Sequence, residues 1–271
     1  MARKSNKQII QNTWGEHEIL PGKVYGWSVG DLKLWCRRTS QEIQIARQRL
    51  ACCQDGTKMK DPPNNISWSR FALRKEHPSI RISPIFPDRP VVVKLESPVK
   101  LNQGVQARIY FRVPIWMKIE LTTREPIVLA EIPSVVLSNT WFGSFVEGEL
   151  CYWISSSARR EIEPDPNRDY LAICAIQLVN KSDVDLLIEK LCLRVANLSL
   201  FFDEIQLWSD DTRVIYKGED ATSQIDFIGK PPIETPTAEL ITLPRNPIKK
   251  GLVAKTFASL RDLPGIGILI N

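Results

Sequence analysis

With 271 residues, 43% apolar side chains and 25% charged ones, the chain has room for one large β domain or two of ordinary size, and material for a real core. Nineteen prolines and eight tryptophans against thirteen glycines argue for many turns and edges rather than long helices, and aromatic and β-branched residues spread throughout exclude a disordered chain. The net charge of +5 is unevenly placed: through Lys75 there are 14 Lys+Arg against 6 Asp+Glu, a balance of +8, and the remainder has 22 against 25, a balance of −3. A basic first third offers a surface to anionic partners; a plain solvated face is the other reading, since no run of five like charges occurs.

The start, MARKSNKQII, has basic residues with no apolar segment behind them, so no signal peptide is expected, and no apolar run approaches the length of a membrane span. The six cysteines, Cys36, Cys52, Cys53, Cys151, Cys174 and Cys192, are then expected as reduced and mostly buried thiols in a cytoplasmic protein.

In chain order, the first clean alternation sets Leu32, Leu34 and Cys36 against Lys33, Trp35 and Arg37. The polar turn Arg38–Gln41 leads to Ile43 and Ile45, which predicts a hairpin, although 43–50 also has helical propensity. Residues 54–66 read as an exposed loop, and the prolines between Pro78 and Pro90 as an extended connection and a domain boundary. The strongest signal is 107–121, where Ile109, Phe111, Val113, Ile115, Met117, Ile119 and Leu121 fall on one face. Pro114 cannot donate to a ladder, so that strand is expected to lie at an edge, bulge or break there. Tyr170–Val179 is apolar on both faces, as in a strand covered on both sides. Leu198–Trp208 and Arg213–Lys217 continue the pattern across an expected turn at Ser209-Asp210-Asp211. From Gly229 the chain becomes a Pro-rich arm, and 248–263 fits either an amphipathic helix or a strand.

Chemical motifs are few. Two histidines and no Cys-x-x-Cys pair give no metal site, and the vicinal Cys52-Cys53 reads as two ordinary thiols or as a soft-metal or redox pair. No nucleophile elbow and no phosphate-binding glycine motif occurs, so no catalytic residue and no cofactor are assigned. The densest mixture of aromatic and ionisable groups is 141–163. In extended backbone Glu147 and Glu149 would share a face near Trp141 and Trp153, the ingredients of a sugar-hydrolysing site; an exposed acidic turn is the plainer reading. Arg159 and Arg160 are candidates for holding an anion or members of a solvated charge run. Trp35 and Trp116 lie on otherwise polar faces and read as seam residues under a second sheet, with stacking on sugars or bases as the alternative; no nucleic-acid-binding fold signature is present.

Trp14-Gly15, the prolines before Val91, Trp141-Phe142-Gly143, Gly148-Glu149-Leu150-Cys151-Tyr152, Ala158-Arg159, Asn180 and Leu207-Trp208 together resemble an uncharacterised prokaryotic domain-of-unknown-function family, the 432 type. The resemblance implies a prokaryotic cytoplasmic protein and brings no catalytic residues with it. The expectation is a mainly β chain of antiparallel, sandwich-like sheets in two halves, with a basic N-terminal β domain at 1–88, a β-sandwich domain at 89–230 and a Pro-rich arm at 231–271 packing back on the body. Its expected role is structural, regulatory or partner-binding, with a protein partner or a second copy of itself. The alternatives are a ligand-binding or hydrolytic site at Trp141, Glu147, Glu149, Trp153, Arg159 and Arg160, or anionic partners on the basic third.

Overall fold

The computed structural model describes residues 13–49, 61–73, 79–156, 159–162, 165, 168–218, 222–247 and 252–258. They are mainly β. In chain order the strands are β1 (Gly15–Glu18), β2 (Val24–Val29), β3 (Leu32–Arg38), β4 (Glu42–Arg49), β5 (Trp68–Ala72), β6 (Ser79–Ile85), β7 (Val91–Leu101), β8 (Gln106–Pro114), β9 (Trp116–Leu121), β10 (Ile127–Pro133), β11 (Ser138–Phe142), β12 (Glu149–Ser156), β13 (Leu171–Asn180), β14 (Leu186–Leu193), β15 (Leu200–Phe202), β16 (Leu207–Ser209), β17 (Thr212–Tyr216), β18 (Thr222–Phe227), β19 (Glu239–Thr242), β20 (Leu252–Lys255) and β21 (Phe257–Ala258). Among the described residues no helix is long and apolar enough to cross a membrane.

The chain divides into two units that alternate along the sequence. The first takes the chain up to Ile85, Pro114–Val135 and Asp165–Tyr170; the second takes Phe86–Val113, Val136–Pro164 and the chain from Leu171. The apolar face of 107–121 is buried along its whole length, and the strand breaks between Pro114 and Trp116. A proline with no N–H ends the ladder of β8 there, and the chain crosses from the second unit to the first.

The first unit holds two four-stranded antiparallel sheets, β1-β6-β9-β10 and β2-β3-β4-β5. The hairpin β3–β4 forms as its alternation predicts, and 43–49 is strand. Thr39 closes its turn, accepting from the N–H groups of Gln41 and Glu42 on Oγ1. Trp35 is buried. The turn between β2 and β3 requires glycine at position 30: φ is +53°, and a Cβ there would lie 2.7 Å from the ring of Tyr170. Arg49 donates to the carbonyls of Pro133 and Ser134, which ties the end of β4 to the end of β10.

The second unit is also built of two sheets. One runs β11-β12-β7-β14-β21; the other runs β19-β15-β16-β13-β17-β18-β20, with β8 also on β13. Among the described residues most neighbours are antiparallel, as expected, and three pairings are parallel: β12 with β7, and β13 with both β16 and β17. Parallel neighbours need a long crossover, and β8–β11 supply it between β7 and β12. β13 is buried on both faces, as its apolar run predicts.

Ser209-Asp210-Asp211 is not a turn, contrary to expectation. β16 lies beside Ala172 and Ile173, and β17 beside Ile176–Asn180, both parallel to β13 and in the same direction. The triplet is therefore a jog in one line of chain, with Ser209 and Asp210 fully buried and Asp210 Oδ1 accepting from the N–H of Ser199. The reversal lies earlier, where Asp203 accepts from the N–H groups of Ile205 and Gln206 and from Trp208 Nε1.

Asn180, at the end of β13, is fully buried. Its Nδ2 donates to the carbonyls of Leu101 (3.0 Å), Asn102 (3.3 Å) and Val184 (2.8 Å), and its Oδ1 accepts from the N–H and hydroxyl of Ser182. Leu101 ends β7 in one sheet and Asn180 ends β13 in the other, so one side chain stitches the two sheets of this unit. The Pro-rich stretch runs along the same unit: β19 pairs with β15, Arg245 Nε donates to the carbonyl of Phe86, and the N–H of Asn246 donates to the carbonyl of Ala196. Within 248–263 the described part is strand, β20 on β18 and β21 on β14; 248–251 and 259–263 lie outside the described residues, as do Cys52 and Cys53.

Candidate functional site

Strand register decides which of the sequence-picked residues meet. In the β11–β12 hairpin Phe142 faces Glu149, Trp141 faces Leu150, Thr140 faces Cys151 and Ser138 faces Trp153. Opposed side chains share a face and successive ones alternate. Glu149, Cys151 and Trp153 therefore project with Phe142, whereas Trp141 projects with Leu150 on the other side. Glu147 sits exposed in the connecting turn. Arg159 and Arg160 are exposed, and Arg159 is held by a backbone bridge to Tyr110. Of the six residues, the structure puts Glu149 and Trp153 on one face, each beside Cys151 and Cys192, and leaves Trp141, Glu147, Arg159 and Arg160 apart from them. The two glutamates do not share a face because the turn interrupts the extended backbone that their i, i+2 spacing needs.

Glu149 and Trp153 meet residues that sequence reasoning missed. Val92, near the start of β7, pairs with Trp153 on one side and Cys192 on the other, so three strands deliver one row of side chains. Val92, Phe142, Cys151 and Cys192 form a buried cluster against Trp153. A carboxylate oxygen of Glu149 and the sulfurs of Cys151 and Cys192 lie within 4.8 Å of one another, the one such donor group among the described residues. Arg194 Nη1 pairs with Glu149 Oε1. Buried Lys190 places Nζ 5.7 Å from the Trp153 ring.

The electrostatics of this face argue against Cys192 as a nucleophile. A hydrogen bond with Cys151, and then burial, hold the Cys192 thiol well above its ordinary range against the pull of Arg194. A thiol held neutral at pH 7 is a poor nucleophile. Burial opposes the Arg194 charge, but its surroundings outweigh it, and at neutral pH the hydrogen bond and charge of Glu149 keep the guanidinium protonated. What the face offers is a donor set of two sulfurs and a carboxylate beside a fixed cation.

A second charged cluster has a mechanical role. Arg108 pairs with Glu234 at 2.6 Å and with Asp211 at 2.9 Å, and the Tyr110 hydroxyl donates to Glu234. Burial opposes the Arg108 charge, yet the two carboxylates raise its pKa above the ordinary value. The cluster fastens the Pro-rich stretch, through Glu234, to β8 and to the jog. Arg108→Met is expected to cost about 2 kcal/mol by leaving two half-buried carboxylates without their guanidinium. Urea unfolding measures the loss, and faster proteolytic cleavage near 230–238 localises it; unchanged stability would remove the clasp.

The hairpin turn itself is the third feature. Ser144 organises it: its carbonyl accepts from Trp141 Nε1 and from the N–H of Gly148, both at 2.8 Å, and its hydroxyl accepts from the N–H of Glu147. A Cβ at Gly148 would lie 2.2 Å from Trp141 Nε1, so glycine alone lets the indole seal the turn. At its tip Phe145 is 78% exposed and Val146 93% exposed. The sequence signal was there in Ser-Phe-Val-Glu-Gly, but it reads as an acidic turn until the structure shows its two apolar residues exposed.

Neither the comparison with curated proteins nor that with solved structures returned a match. A family model described as "Protein of unknown function (DUF432)" matches residues 13–261. That span is most of the chain and includes every residue of the sites above, and the protein belongs to the DUF432 family.

Proposed function

We propose that the chain is a non-catalytic, partner-binding β protein that engages a protein partner through the tip of the β11–β12 hairpin. The observation that carries this reading is the exposure of Phe145 and Val146 on a turn whose geometry is fixed by Ser144, Trp141 and Gly148. Fully burying two such side chains is worth roughly 3–6 kcal/mol, and a pre-set turn loses little further entropy on docking. Glu147 beside the tip favours an apolar cleft with a basic rim. Four described cysteines are free thiols, which supports a reducing compartment, and with the family resemblance we place the protein in a prokaryotic cytoplasm.

The test is a Phe145→Ser, Val146→Ser double variant. Both residues are exposed, so its melting temperature should match that of the parent. Affinity capture from the native host should lose a partner that the parent retains, with at least a hundredfold loss of affinity when that partner is purified. Sedimentation velocity of the chain alone shows whether the partner is a second copy. Equal capture and equal sedimentation by both proteins would defeat the reading. A second reading, a small-ligand site on the face carrying Glu149 and Trp153, is favoured by their convergence with Cys151 and Cys192.

A further inference from the structure

We propose that Glu149, Cys151 and Cys192 form a mononuclear zinc site, with Arg194 as its positioning residue. Four observations lead there, none of which depends on the hairpin tip.

The first is distance. Zinc–sulfur bonds of about 2.3 Å and zinc–oxygen bonds of about 2.0–2.2 Å in a tetrahedron set neighbouring ligand atoms roughly 3.5–3.8 Å apart. The three donor atoms already lie within 4.8 Å of one another, so side-chain rotation closes the set without moving a strand. The second is scaffold. The ligands stand on β12 and β14, both paired to β7, and strands hold a ligand geometry better than loops do.

The third is charge. Two thiolates and a carboxylate carry −3 and Arg194 carries +1; a divalent ion brings this four-residue set to zero. Neutrality matters because both cysteines are fully buried, where an uncompensated charge is costly. Lys190, buried beside Trp153, is a further cation on this face and stands outside the four-residue count. The fourth is access and support. The Glu149 side chain is 38% exposed and gives an ion a way in. Arg194 bonds Oε1, and Oε2 of the same carboxylate can turn to the metal, the arrangement of a ligand oriented by an outer partner.

Thiolate pairs select zinc or cuprous ions over magnesium or calcium, and three protein ligands leave zinc a fourth position for water or a ligand group. Binding breaks two S–H bonds, releases both protons to solvent and forms two zinc–sulfur bonds; no oxidant is involved.

The experiment titrates the reduced full-length chain with Co(II), then displaces the cobalt with Zn(II). Expected are one cobalt per chain, sulfur-to-cobalt charge-transfer bands in the near ultraviolet, intense visible bands of a tetrahedral ion, and their loss on adding one equivalent of zinc. C151S/C192S should abolish the bands, and E149Q and R194M should each weaken zinc binding about 10-fold or more. C52S/C53S tests the competing vicinal pair and should keep full uptake, which holds the test open even if the buried double variant fails to fold. The proposal is overturned if the bands vanish in C52S/C53S, if the parent takes up no more cobalt than C151S/C192S, or if the reduced parent binds no metal and air oxidation instead joins Cys151 to Cys192, seen as a two-dalton loss of mass.

Discussion

Asn180→Leu is expected to destabilise the protein by about 4 kcal/mol, near the upper end for a single substitution. The leucine fills the space but makes none of the five hydrogen bonds of the amide. The carbonyls of Leu101 and Asn102 lose a donor and the N–H of Ser182 loses its acceptor around a side chain that is itself closed to water, while the Ser182 hydroxyl and the Val184 carbonyl keep each other. Each buried group left unpaired costs roughly 1–3 kcal/mol, and local relaxation recovers part of the sum. At this chain length the loss corresponds to a fall of about 10–15 °C in melting temperature. Asn180→Asp separates the shape of the side chain from its donors. It keeps the acceptor for Ser182 but turns an oxygen on three carbonyl oxygens. Its carboxyl would ionise less readily in the folded chain than in the unfolded one. The penalty is therefore full above the folded-state pKa and shrinks as pH falls, when a protonated carboxyl can again donate. Urea unfolding of both variants at pH 7.5 and pH 5 is the measurement; an Asp variant within 1 kcal/mol of the parent at pH 7.5 would show that the stitch is not needed.

Asn180 also marks what the sequence could say. A polar residue closing an apolar run is visible as a strand end, and the period-2 pattern revealed most strands, the buried face of 107–121 and the break at Pro114. Periodicity tells which residues share a face, not which strand lies next door. Cys151 and Cys192 are far apart in sequence, and their meeting depends on β7 taking β12 in parallel on one side and β14 antiparallel on the other. Nothing in the spacing of either cysteine encodes that. Glu147 and Glu149 show the opposite failure, because parity puts them on one face only if the backbone stays extended, and the turn sealed by Ser144 and Trp141 ends the extension first. Ser209-Asp210-Asp211 has the composition of an exposed turn and of a buried jog alike; burial decides, and burial is a property of the neighbours.

Asp210→Asn is expected to stabilise the protein at neutral pH, the reverse of the usual result for a buried, hydrogen-bonded residue. Burial pushes the Asp210 carboxyl up to about 6, more strongly than the hydrogen bond from the Ser199 N–H pulls it down. The sign follows from proton counting. Between about pH 4 and about pH 6 the folded chain keeps a proton that the unfolded chain has released, so stability falls by about 1.4 kcal/mol for each pH unit. Across the window the loss is about 3 kcal/mol, and it persists at higher pH. Asparagine retains an oxygen for the Ser199 N–H and cannot ionise. The variant should therefore exceed the parent by about 2–3 kcal/mol at pH 7.5, and the two should converge near pH 4, below the unfolded-state pKa. Asp169, in the first unit, is raised to about 6 chiefly by burial and adds to the same downward slope, so stability of the parent itself should decline from pH 4 to pH 6. Carboxylates held down by partners, Glu42 by its hydrogen bonds from Arg70 and Gln44 and Asp185 by Lys100, add stability only up to their unfolded values of 4.5 and 3.8, so they oppose the slope at its acid end and not above it. Urea unfolding of parent and variant at pH 4, 5, 6 and 7.5 measures both slopes. A constant difference across the range would mean that the carboxyl of Asp210 is not the titrating group, and a variant weaker than the parent at pH 7.5 would mean that the jog needs the full carboxylate charge to hold the backbone around Ser199.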